Sequence, residues 1–154
     1  MLLNLTLFTT VNAQKVLTLD YAVMYKSYVI KPTWSNLTSL LFADMSSFTA
    51  TMKKYNYSLT TDGSAYIANT EVGSPYFTVS KSTDDINMIF TSDNGMLATF
   101  RTELRQKLKG GNVSFERGFE VYRIQYENEG FKYRIKIAIK QEQDGSGMVS
   151  LMLQ

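Results

Sequence analysis

The sequence predicts an α+β protein in which helices pack on one face of an antiparallel sheet. Three observations lead there. Apolar residues recur at helical spacing in two stretches, 37–55 and 97–108. Each stretch is followed by three short runs rich in aromatic and β-branched residues. Clusters of Gly, Asp, Ser and Pro separate those runs, so that neighbouring strands pair as hairpins and bury a common face beneath the helices.

The chain opens with "MLLNLTLFTTVNA". Leu2, Leu3, Leu5, Leu7 and Phe8 form a short apolar run, and Val11-Asn12-Ala13 supplies small residues before a cut, as in a secretory leader. Residues 1–13 therefore read as a leader and 14–154 as one α+β domain. No Lys or Arg precedes the run, and Leu3, Leu5 and Leu7 also alternate as a first strand would. Residues 14–31 read as one strand or an irregular lead-in, punctuated by Pro32.

In 33–58 the period changes. Leu37, Leu41, Met45, Phe48, Met52 and Tyr55 form the apolar stripe of a helix. Thr33 or Ser35 can cap its start, and Ser46-Ser47 is a place for it to break. "TTDGS" closes it with a turn, and "AYIANTEV", "YFTVSK" and "INMIFTS" follow as strands. The second helix carries Leu97, Phe100, Leu104 and Leu108 on its apolar stripe, with Glu103 facing outward. Ser92, Asp93 or Asn94 can cap it, and Gly110-Gly111 stops it. "FEVYRIQYE", "FKYRIKIAIKQ" and "MVSLMLQ" are the last strands. The final one is apolar on both faces, which places it centrally in the sheet or beneath a cover.

The order helix, three strands therefore occurs twice, over about 33–91 and 92–154. "FTATMKK" and "FRTELRQ" occupy equivalent places, as an ancient duplication would leave them. This tandem helix-plus-sheet order resembles that of β-lactamase inhibitory proteins. The likeness is one of architecture, with no shared motif.

Composition excludes much chemistry. The 154 residues contain no Cys and no His. Disulfides, Cys/His zinc sites, Ser-His-Asp triads and Cys-His dyads are therefore ruled out. Only carboxylate, Lys, Tyr or Arg catalysis remains, and no catalytic motif stands out. Asp84-Asp85 and "EQDGSG" (142–147) lack the alternating oxygen ligands of a calcium loop and read as hairpin turns. "KGG" (109–111) is a helix stop, since the phosphate-loop pattern is missing. The acid pairs Glu116/Glu120 and Glu127/Glu129 have nothing to single them out. N-x-S/T triplets at Asn4, Asn36, Asn56 and Asn112 matter only on a eukaryotic secretory route. The expectation is a non-enzyme with no cofactor and no metal. No stretch approaches the about 20 apolar residues of a membrane span.

Net charge is +2, with six basic and six acidic residues before position 92 and ten and eight after it. The excess lies with the strands of the second half. In "FKYRIKIAIKQ" the apolar members alternate with Lys132, Arg134, Lys136 and Lys140. "EVYRIQYE" alternates likewise. A four-residue loop, Glu127 to Gly130, would pair Tyr126 with Phe131 and set Arg123 opposite Arg134 on the outer side. The candidate binding residues are thus Arg123, Lys132, Arg134 and Lys136. Left bare, such a row only solvates the sheet and deters edge association. With a partner, it fits a protein of acidic surface. Nucleic acid is disfavoured, because alternation sends Tyr122, Tyr126, Phe131 and Tyr133 to the other face, away from bases that need stacking. The leading expectation is a small exported binding module of the periplasm, outer membrane or extracellular space. The alternative is a carrier or enzyme with a pocket between helices and sheet.

Overall fold

The computed structural model describes residues 15–92, 95–108 and 113–154. The leader, the Asp93 or Asn94 cap and the Gly110-Gly111 stop lie outside these residues. A hairpin comes first, β1 (Tyr21–Met24) and β2 (Ser27–Ile30), where one strand or an irregular lead-in was expected. Then follow α1 (Trp34–Phe42) and α2 (Met45–Lys54), and strands β3 (Tyr57–Leu59), β4 (Tyr66–Ala68), β5 (Phe77–Lys81) and β6 (Asp85–Phe90). The second half has α3 (Met96–Leu108), β7 (Ser114–Glu116), β8 (Phe119–Asn128), β9 (Phe131–Gln141) and β10 (Gly147–Leu153).

The architecture is α+β, with helices packed on an antiparallel sheet of eight strands ordered β3-β4-β5-β6-β10-β9-β8-β7. The two halves enter it in mirrored order and meet where β6 pairs with β10. Each half supplies one further strand, β3 or β7, whose three residues are too short for alternation to stand out. The doubly apolar last strand is indeed interior, between β6 and β9.

Helix boundaries follow from capping. The Thr33 hydroxyl accepts from the Asn36 N–H at 3.1 Å, starting α1. The long helical stretch breaks at Ala43-Asp44, slightly before Ser46-Ser47. Asp44 caps α2 by accepting from the Ser47 N–H at 2.7 Å and from the Ser46 and Ser47 hydroxyls. Those donors, the Ser46 hydroxyl first, hold the Asp44 carboxyl at about 2. Asn36 is almost wholly buried and accepts from the Asp20 N–H while its amide donates to the Asp20 and Lys31 carbonyls. Its triplet therefore marks a structural clamp rather than a glycan acceptor.

Leu97, Phe100 and Leu104 of α3 are buried, and Leu108 packs against the same core. Gly147 allows this close approach of α3 to β10, because a Cβ there would overlap Leu97 Cδ1. Glu103 does not face outward. Its carboxylate accepts from the Trp34 N–H at 2.9 Å, tying α3 to the first turn of α1, whose free N–H groups need such a partner.

Candidate functional site

The β8–β9 ladder carries the predicted site residues, in a register two residues away from the expected one. Asn128 pairs with Phe131, so only Glu129 and Gly130 form the turn. Both have positive φ, 51° and 82°, the backbone of the two-residue turn that matches strand twist. Arg117-Gly118 joins β7 to β8 in the same way, with φ of 50° and 83°. A shift of two keeps every side chain on its expected face but changes its neighbours. Arg123 faces Lys136, Gln125 faces Arg134 and Glu127 faces Lys132, so the expected Arg123–Arg134 pair does not form.

One face of this ladder packs under the helices. Tyr122, Ile135 and Ile137 are fully buried, and Tyr126 and Tyr133 close an aromatic group with Trp34 and Phe42 at ring distances of 4.7–5.8 Å. Phe131 is an exception among the aromatic residues expected in the core, since it is 68% exposed at the hairpin end. Behind Tyr122, its hydroxyl donates to Glu120, which also accepts from Arg101 Nε at 2.7 Å, linking β8 to α3. Burial, reinforced by the neighbouring carboxylate, pushes the Tyr122 phenol up to about 12.

Arg123, Lys132, Arg134 and Lys136 share the opposite face, over which no described helix or strand packs. They divide into two pairs. Arg123 Nη2 donates to Glu116 Oε1 at 2.6 Å and Lys136 Nζ to Glu116 Oε2 at 3.0 Å. Arg123 also reaches the Ser114 hydroxyl. The hydrogen bonds from Arg123 and then Lys136 hold the Glu116 carboxyl at about 2. The anion between two like charges is therefore the protein's own. Glu116 was visible beforehand only as half of an acid pair. Its role depends on the Arg117-Gly118 turn, which was the signal for it.

Lys132 and Arg134 differ. Both are exposed, and among the described residues neither lies within ion-pair distance of an acid. Glu127 stands opposite Lys132 in the ladder, whereas Arg134 has only the neutral Gln125.

Comparison with family models, curated proteins and solved structures finds no match. The expected likeness of element order to β-lactamase inhibitory proteins finds no support in these comparisons. Asp84 and residues 142–146 fall in the hairpin connections β5–β6 and β9–β10, and Asp85 and Gly147 begin the strands that follow. Among the described residues no three Asp or Glu side chains gather as a metal site, and no helix is long and apolar enough to cross a membrane. Between the α1–α2 junction and the end of the β8–β9 hairpin lies an open depression of about 440 Å³, with Lys15, Thr38, Asp44 and Ser47 facing Tyr126 and Tyr133.

Proposed function

We propose that the protein is a small binding module whose uncovered sheet face engages an acidic surface on another protein. The observation that carries this reading is Arg134, exposed beside Lys132 and opposite a neutral residue, while Arg123 and Lys136 are satisfied internally by Glu116. Unneutralised cations near the hairpin end of a long strand steer an anionic partner and set its register. The carrier or enzyme alternative would use the depression beside α1. It is less favoured because the polar groups there are already engaged: Asp44 with Ser46 and Ser47, and the Thr38 hydroxyl with the Trp34 carbonyl.

The test uses the partner captured by the parent chain from its native host. Arg134→Glu is expected to leave the melting temperature unchanged and to weaken that partner about tenfold at low salt, with a smaller loss at moderate salt. Equal affinity for parent and variant would reduce the row to a solvated face. We place the work outside the cytoplasm, on the strength of the apolar run and small residues in 1–13. The mass of the chain isolated from that host is expected to begin at Gln14; an intact Met1 would withdraw the location.

A further inference from the structure

The sheet ends in two three-residue strands, β3 and β7, short edges of the kind that deter stray pairing. β7 pairs only with Phe119, Glu120 and Val121, whereas β8 runs on to Asn128. Both turns flanking β8 have two residues, so Asn128–Phe131 and Glu116–Phe119 are their hydrogen-bonded closing pairs. Counting along β8 from either turn gives the same parity. Even-numbered residues bond to β9, and odd-numbered ones aim their N–H and C=O the other way. Arg123, Gln125 and Glu127 thus present a row of backbone donors and acceptors on the side that β7 leaves bare. Among the described residues nothing bonds to that row.

Open edges are commonly blunted by proline, a bulge or lysine. Residues 123–127, Arg-Ile-Gln-Tyr-Glu, have none of these, and their register with β9 is unbroken. The neighbouring side chains say what fits there. Arg123 is exposed at one end of the open stretch. Arg134 stands beside Gln125 in its middle, and among the described residues no acid lies within ion-pair distance of it. Glu127 closes the other end. On the helix side Ile124 and Tyr126 are only partly buried. A second copy of β8 fits worse. Pairing about Gln125 sets Arg123 against Glu127 of the second copy, but it drives that copy's Glu129 turn into Ser114, which already faces Val121.

We infer that the acidic partner adds an extended segment to β8 as a further antiparallel strand, hydrogen-bonded to Arg123, Gln125 and Glu127. Alternation of side chains then dictates its sequence. The residues opposite Arg123 and Gln125 are acidic, the one opposite Glu127 is neutral, and those opposite Ile124 and Tyr126 are apolar. The acid opposite Gln125 lies two strand spacings, about 10 Å, from Arg134, a gap that a glutamate and an arginine bridge from its two ends. Arg123 keeps its bonds to Glu116 and Ser114 and has further guanidinium donors for the other acid. This rests on the reading of Arg134 as meeting an acidic protein, and it adds that main-chain pairing supplies the register.

The probe is the peptide acetyl-Thr-Val-Glu-Val-Glu-amide, written from the residue opposite Glu127 to the one opposite Arg123. The readout is backbone amide exchange, followed residue by residue by NMR. At about 10 mM peptide, exchange at Gln125 and Glu127 is expected to slow about threefold or more. N-methylating the middle Glu removes a donor that faces β8 and is expected to weaken binding about tenfold. N-methylating the Val before it, whose N–H faces away, is expected to change affinity less than about threefold. The Thr-Val-Gln-Val-Gln version is expected to bind at least about fivefold more weakly. Gln125→Pro takes an N–H from the open edge and none from the β8–β9 ladder, so it is expected to stay folded and lose the peptide. Should that variant not fold, the two N-methyl peptides decide. Four results would overturn the inference: unchanged exchange at Gln125 and Glu127, equal effects of the two N-methyl groups, equal binding of the Gln version, or protection that grows with protein concentration without peptide, which would make the occupant a second copy. Failure of the wider reading looks different, because there Arg134→Glu leaves the captured partner's affinity unchanged. If only the strand addition fails, Arg134→Glu weakens that partner and Gln125→Pro does not.

Discussion

On the helix side of the β8–β9 ladder, Tyr122, Ile135 and Ile137 are sealed from water. On the other side Arg123, Gln125 and Arg134, from the same alternating strings, stand in it. The first face is held by area removed from water, which is indifferent to register so long as the right residues point inward. The second is held by a carboxylate reaching two particular cations, which a register shift of two destroys. A face built on burial is therefore legible from pattern, whereas one built on charge is legible only from pairing.

The largest effect expected from that contrast lies under the sheet. Leu104 is fully buried, so Leu104→Ala should lower unfolding free energy by about 2–5 kcal/mol in a denaturant titration. A loss under about 1 kcal/mol would mean that the helix-side core is loosely packed. The neighbouring Glu103→Ala should cost about 1 kcal/mol, because the Trp34 N–H loses its acceptor. A negligible cost would return Glu103 to the solvent side of the comparison.

Smallest is the effect on the uncovered face. The Glu116 carboxyl titrates at about 2 when folded, against 4.5 ordinarily. A depressed value means that its stabilisation is complete above the ordinary range and is lost as pH falls through about 2. Glu116→Gln should therefore show a smaller drop in melting temperature between pH 5 and pH 2 than the parent. The low carboxyls of Asp44 and Asp62 are present in both proteins and cancel in the comparison. Identical acid profiles would show that the Glu116 bridge contributes nothing to folding.

The same contrast explains what could be read from the residues. Helical period disclosed the stripes of α1, α2 and α3 except at Met45, which opens α2 and is 54% exposed, and alternation gave each residue of β8 and β9 its correct face. Apolar character on both faces left β10 either central in the sheet or beneath a cover, and pairing with β6 and β9 makes it central. The hairpin register escaped because Glu-Gly is a weaker two-residue turn signal than Asn-Gly, so a longer loop competed with it. Asn36, Glu103 and Glu116 escaped for another reason. Each acts on a partner that only tertiary or cross-strand geometry brings near: Asn36 on Asp20, Glu103 on Trp34, and Glu116 on Arg123 and Lys136.

The seam between the halves sets an order in time. Strands β3 to β6 pair with their sequence neighbours, but β6 completes its second ladder only with β10, residues 147–153. At about 5–20 residues synthesised per second, the stretch between them takes several seconds to appear. Through that interval β6 presents a row of unpaired N–H and C=O groups alongside Ile86, Met88 and Phe90. An open edge of this kind pairs with any extended chain that reaches it first. The nascent first half is thus most vulnerable to association before its own last strand exists.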